Sequence, residues 1–246
     1  MKPKYFTLFM LLLFVCSIAA QTGDSKKKIF MDVSHGQKFW NDPVDMTGPK
    51  AKKVKRVEYM NEQFRETASS VNAEYDFLKG EITPETLTGC DLLFIHIPSS
   101  LYAPAEVKAI TDYLNAGGSM FLAVDEDYWA TLEQSNINDF IKPFGIELGE
   151  TRPDSVSGGY TKEGVITASS YKIPYAGGRY IKGGTPFCFD VASEENPFGV
   201  YKELENGGKL IIMSDGMVSL FMNSWGDVND YQCTQFMHDV FKWLLE

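Results

Sequence analysis

Apolar positions along the chain fall into two alternating rhythms. Residues 29–33, 91–97, 119–124 and 209–213 are short continuous apolar runs rich in β-branched and aromatic side chains. Runs of that length are too short for stable helices and predict strands buried on both faces. Residues 73–78 form a further candidate strand, followed over 82–87 by a short helical turn with Thr83 as cap and Pro84 at its first position. Between the strands the spacing changes to that of a helix. Val57, Met60 and Phe64 share one stripe, as do Val107, Ile110 and Leu114, which follow Pro104 and end at Gly117 and Gly118. The last helix buries Phe236, Met237, Val240, Phe241 and Leu244, which puts His238 on its solvent side. Strand and amphipathic helix in alternation predict an α/β fold with a doubly wound, mostly parallel sheet.

Two regions depart from this rhythm. Over 145–200, glycine pairs at Gly158, Gly177 and Gly183 separate short aromatic runs, which predicts hairpins or an irregular, glycine-rich β insert. At the N-terminus, Lys2 and Lys4 precede an apolar run over 6–18 and the small pair Ala19 and Ala20. That is the pattern of a secretory signal peptide, residues 1–20, leaving 21–246 as one domain. Val15 before Cys16 disfavours a lipoprotein anchor. The expected location is the periplasm, with full secretion left open. No later run is long and apolar enough to span a bilayer.

Acidic residues number 33 against 23 Lys and Arg, a net charge of −10, which argues against sequence-independent nucleic-acid binding. Cys90, Cys188 and Cys233 show neither a CxxC nor a zinc-like spacing, so one disulfide plus one thiol stays open and no metal is assigned. Neither G-x-G-x-x-G nor a P-loop is present, and no cofactor is assigned.

The candidate chemistry sits where strands end. His35 follows the first strand, His96 ends the third, Asp125 and Glu126 follow the fourth, and Asp215 follows the run at 209–213. If these strands are parallel, the groups converge on one sheet edge. Beyond His35 runs a long polar connection over 38–55, carrying Phe39 and Trp40 and joining the basic cluster Lys50, Lys52, Lys53, Lys55 and Arg56. The cluster suits an anionic ligand held near His35, and it also reads as a solvated helix start. His35 itself reads either as a reactive group or as a structural histidine.

Four stretches together resemble a known fold: Phe30-Met-Asp-Val-Ser-His-Gly-Gln37, Cys90-Asp-Leu-Leu-Phe-Ile-His-Ile-Pro98, Glu106 through Gly117-Gly-Ser-Met-Phe-Leu122, and Gly207-Gly-Lys-Leu-Ile-Ile-Met-Ser-Asp215. They look like the class I glutamine-amidotransferase-like fold, and more narrowly like the domain shared with gliding-motility and intraflagellar-transport proteins. The resemblance implies a flavodoxin-like sheet. Amidotransferases place a nucleophilic cysteine on a strand-to-helix elbow, whereas the strand ends here carry His96, Ile97 and Pro98, so glutamine hydrolysis is not expected.

With nucleophile and nucleotide chemistry set aside, proton transfer by histidine remains. The first expectation is an exported lyase or dehydratase acting on a uronic acid of acidic oligosaccharides during polysaccharide degradation. His35, His96, Asp125 and Glu126 are its catalytic candidates. Gln37, Trp40, Lys52, Lys53, Tyr102, Tyr128 and Asp215 are its substrate-binding candidates. The alternative is a non-catalytic module of the same fold that binds glycan or a partner protein through Trp40, Tyr128, Trp129 and Trp225, with Trp40 and Trp225 expected at the surface. Oligomeric state is not legible in the sequence.

Overall fold

The computed structural model describes residues 25–152, 158–225 and 227–246, so the expected signal peptide lies outside the described residues. The chain opens with β1 (Lys27–Asp32), passes two 3₁₀ turns (Pro43–Asp45 and Gly48–Lys53), and enters α1 (Val54–Ser70). Then come β2 (Ala73–Leu78), β3 (Leu92–His96), α2 (Pro104–Asn115) and β4 (Ser119–Ala123). Two single-turn helices, α3 (Leu132–Ser135) and α4 (Asn138–Ile141), lead to β5 (Glu147–Arg152), β6 (Gly159–Thr161), β7 (Lys172–Ile173), β8 (Gly178–Lys182), β9 (Thr185–Asp190) and β10 (Pro197–Glu203). After β11 (Lys209–Met213) a small ladder of β12 (Ser224–Trp225) and β13 (Val228–Asn229) precedes α5 (Cys233–Leu245).

The main sheet runs in the order β2-β1-β3-β4-β11-β10-β9-β6-β7. Its first five strands are parallel, in the flavodoxin-like order, and β10, β9, β6 and β7 extend it by antiparallel pairing. β5 and β8 pair with each other apart from it.

Every residue of β3 and β4 is buried, because helices cover both sheet faces. On one face α1 and α5 bring Met60, Phe64, Phe236, Val240 and Phe241 against Ile29, Met31, Phe94 and Phe121. On the other, α2 and α4 bring Ile110, Leu114, Phe140 and Ile141 against Leu93, Ile95, Met120 and Leu122. Alternate strand residues therefore feed two separate cores, as a pleat requires.

Three details differ from the sequence reading. β1 starts at Lys27, ahead of its apolar run, because main-chain pairing with Ala73 of β2 sets the boundary and Lys27 ion-pairs with Asp91 at 3.0 Å. His238 is half-buried rather than free in solvent, with Nδ1 2.8 Å from Ser70 Oγ, which ties α5 to α1. Cys90, Cys188 and Cys233 are all free thiols, so no disulfide joins them.

Phe94 is fully buried and stacks on Phe121 at 5.0 Å while meeting Phe64 edge-on at 5.0 Å. Phe94→Ala should cost about 3–5 kcal/mol in urea denaturation, the usual loss for a large buried ring.

Candidate functional site

The pleat decides what the strand ends can do. Asp32 points to the α2 face, and there it holds His35: Nδ1 lies 2.9 Å from Asp32 Oδ2, and Nε2 lies 3.1 Å from Glu106 Oε1. A carboxylate at each ring nitrogen favours the form in which both nitrogens donate, the imidazolium. Burial pulls the His35 pKa down, but hydrogen bonding and charge from Asp32, joined by Glu106, outweigh it and leave the pKa raised. Tyr102 stacks on the ring at 3.9 Å and donates to Asp32 Oδ2 at 2.8 Å, where Gln37 Nε2 also donates at 2.6 Å. Glu106 Oε1 accepts from Ile82 N and Oε2 from Ala103 N, both at 2.8 Å. Within it Gln37 Oε1 is buried without a hydrogen-bond partner, and Gln37 also lines the cleft beside α1.

His96 lies on the opposite face, with Phe39, Trp40 and Phe94 around it. Its ring is fully buried, and Nε2 donates to Gly216 O at 3.0 Å. Burial brings its pKa down to about 4, so it is neutral at physiological pH. The same Gly216 peptide bonds Asp125, whose carboxyl burial pushes up to about 7, with the N–H of Glu126 at 2.8 Å opposing the rise. A Cβ at Gly216 would meet His96 Nε2 at 2.8 Å, so this position takes only glycine without a shift. Asp215 is buried and accepts from Ala176 N at 2.8 Å and Met217 N at 2.7 Å.

The crevice between the ends of β1 and β3, where open α/β sheets take ligands, is filled. Ser99 N donates to His35 O at 2.8 Å, Lys38 N to Ile97 O at 3.3 Å, and Ser99 Oγ to Gly36 O at 2.7 Å. Gly36, at φ +67°, leaves no room for a Cβ, which would lie 2.7 Å from Ser99 Oγ. Immediately after β3, Ile97 adopts φ +43° with its N–H bonded to Ala123 O. Left-handed backbone at a strand end is the corner on which nucleophiles are presented in related folds, yet here it carries a buried isoleucine. The three described thiols offer no substitute. Burial pushes Cys90 and Cys233 each up to about 12 and raises Cys188 as well.

The remaining sequence candidates scatter. Trp40, expected at the surface, is fully buried against Phe64 and Phe94, because its polar loop folds back over α1 and presses the indole into the core. Tyr128 is exposed beside Trp129, and Glu126 is half-buried. The Trp225 side chain lies outside the described residues. Lys52 and Lys53 are exposed, and Lys53 with Gln37 lines a cleft of about 850 Å³ that runs from Val33 and Gly36 at the end of β1 to the start of α1 and Leu220. Among the described residues, no group of three or more His, Cys, Asp or Glu is placed to hold a metal ion, and no helix is long and apolar enough to cross a membrane.

A family model for the IFT52 GIFT domain matches residues 51–173, half of the chain. The chain belongs to the IFT52 GIFT domain family. Its fold is similar to that of the mmIFT52 N-terminal domain, with a TM-score of 0.60 and 20% identity over 89% of this chain and 97% of that one. It is also similar to a putative GMP synthase protein from Thermoplasma acidophilum (TM-score 0.51, 10% identity, 89% and 92% covered) and a putative ThuA-like protein from Bacteroides uniformis (0.50, 12%, 89% and 91%). No curated protein matches the chain.

Membership in the IFT52 GIFT family corrects the main functional expectation. A domain of the intraflagellar-transport type overturns the lyase or dehydratase of polysaccharide degradation and, with it, the periplasmic location. An acidic oligosaccharide partner has no support from the family.

Sequence reasoning missed the partners of His35. Asp32 sits inside the first strand and Glu106 more than seventy residues on. Glu106 did leave a trace, as an acid two positions after the proline that starts α2, where a carboxylate reaches back to orphan N–H groups.

A raised folded pKa means that the stability His35 contributes is complete below its ordinary value of 6.5 and is lost as pH rises through the higher folded value. Urea midpoints should therefore fall as pH rises above about 6.5, and His35→Gln should flatten that decline. Ile97→Gly should cost about 1–3 kcal/mol less than Ile95→Gly, since glycine relieves the left-handed backbone at only one of the two buried sites. Equal losses in chemical denaturation would remove the strain argument.

Proposed function

We propose that this protein is a non-catalytic protein-binding module, with residues 21–246 acting as one domain. One observation carries the reading: the corner after β3 presents Ile97, and the ionisable groups around it are committed to internal partners. A proton-transfer site needs an acid and a base that reach the same substrate atom region. His35 and His96 sit instead on opposite faces of the sheet, the first held between two carboxylates that raise its pKa and the second neutral and enclosed. Both act here as positioning groups that hold strand ends. Membership in the IFT52 GIFT family supports a protein as the partner.

The test is a paired assay on the full chain. Glutamine and acidic oligosaccharides should yield no ammonia and no unsaturated product, while crosslinking in native extract followed by reconstitution should give a saturable complex with a protein. Turnover abolished by His96→Gln in a folded variant would overturn the proposal. So would failure to reconstitute a complex with any crosslinked protein.

A further inference from the structure

The cleft beside α1 has a charge pattern opposite to that of the whole molecule. The chain carries a net charge of −10, yet among the described residues Lys38, Lys50, Lys53 and Arg56 line this cleft and no carboxylate does. The loop does contain two acids nearby, Asp42 and Asp45, but both are taken by Lys79 from outside the cleft, at 2.6 and 2.8 Å. Among the described residues none of the four cleft cations forms a salt bridge; Lys50 bonds Asn41 Oδ1 at 3.3 Å and Arg56 bonds Leu220 O at 2.7 Å.

The helix adds to this field. α1 begins with Lys53 as cap residue, without a side-chain cap and without any acid in its first turn. The 3₁₀ turn Gly48–Lys53 runs straight into it, with Val54 N bonded to Ala51 O, and it too has no acid in its first turn, so the lysines here sit toward the positive end of the helical dipole and cost stability in the free protein. An anion in the cleft would offset both terms.

Beneath the cations the surface is apolar. Met46, Met60 and Met222 line the floor with Val57 and Leu220. Thioether side chains adapt to irregular apolar guests, and the volume of about 850 Å³ suits several side chains. The cleft offers little to a sugar ring. Its one aromatic, Phe39, is engaged by Trp129 at 4.8 Å and by His96 at 5.9 Å, and Trp40 is buried below.

We infer that the cleft formed by the loop after β1, the N-terminus of α1 and residues Leu220 to Met222 docks an acidic peptide segment of a partner protein, with apolar side chains seated on the methionine floor and carboxylates on Lys38, Lys50, Lys53 and Arg56. The inference rests on the protein-binding reading above and adds the place and the chemistry of the partner. Contacts of this kind set association rate and salt dependence as well as partner choice.

The test selects random peptides of about twelve residues, a length able to fill such a groove, by display on the full chain. Enriched sequences should be net acidic and carry bulky apolar residues. A selected peptide, labelled and titrated by fluorescence anisotropy, should bind at least about tenfold more weakly to Lys50→Glu/Lys53→Glu. It should also weaken as NaCl rises from about 50 to about 500 mM. Met222→Gln should weaken binding too, leaving the salt dependence in place, and thermal melts should show both variants folded. Peptides that bind without acidic bias, or equally well to the charge-reversed variant, would overturn the cleft while leaving the protein-binding reading intact. A purely acidic peptide binding as tightly as one with apolar anchors would overturn docking on the floor. Binding to phosphatidylserine vesicles that is lost on charge reversal, with no peptide selected, would assign the cations to a membrane surface and overturn the inference.

Discussion

Two buried carboxylates, Asp32 and Glu106, meet across the junction of β1, α2 and the turn before Ile82, with the imidazole ring of His35 between them and bonded to both. A carboxylate taken out of water needs a counter-charge and a full set of donors. Asp32 receives His35, Gln37, Tyr102 and Ser34 N; Glu106 receives His35, Ala103 N and Ile82 N. Removing any one donor leaves a buried charge short, so the network fixes the end of β1, the start of α2 and the path of the loop between them.

That fixation shapes the sheet edge. With His35 held, its carbonyl accepts from Ser99 N and Ser100 N, and the loop after β1 is stitched to the corner after β3. The crevice that an open α/β sheet offers to ligands is consequently occupied by the protein's own backbone. The loop is then directed outward over α1, where Trp40 anchors it in the core and its lysines rim a cleft. The open cleft of this region therefore runs from the end of β1 along the start of α1.

The left-handed conformation of Ile97 fits the same picture. A β-branched residue at φ +43° is costly and persists only where its surroundings over-determine it. Here they do: its N–H pairs with Ala123 O, its carbonyl accepts from Lys38 N, and its side chain is buried. The left-handed corner after β3 thus presents a buried isoleucine.

The sequence by itself determined the parallel half of the sheet and its helices. Runs such as Leu92–His96 and Ser119–Ala123 are buried on both faces, and the stripes of α1, α2 and α5 follow a helical period, so local pattern and final burial coincide. The glycine-rich β insert was legible in kind, though the placing of its strands at one edge of the main sheet was not, since main-chain pairing leaves little mark on side-chain order. What the strand-end groups do was decided by tertiary structure alone. Convergence of His35, His96, Asp125 and Asp215 on one edge followed from topology, but the pleat sends Asp32 and His96 to opposite faces, and partners as distant as Glu106 and Gly216 fix the charge of each histidine. The burial of Trp40 inside a polar loop was settled in the same way, by a fold-back whose contacts lie far away in the chain.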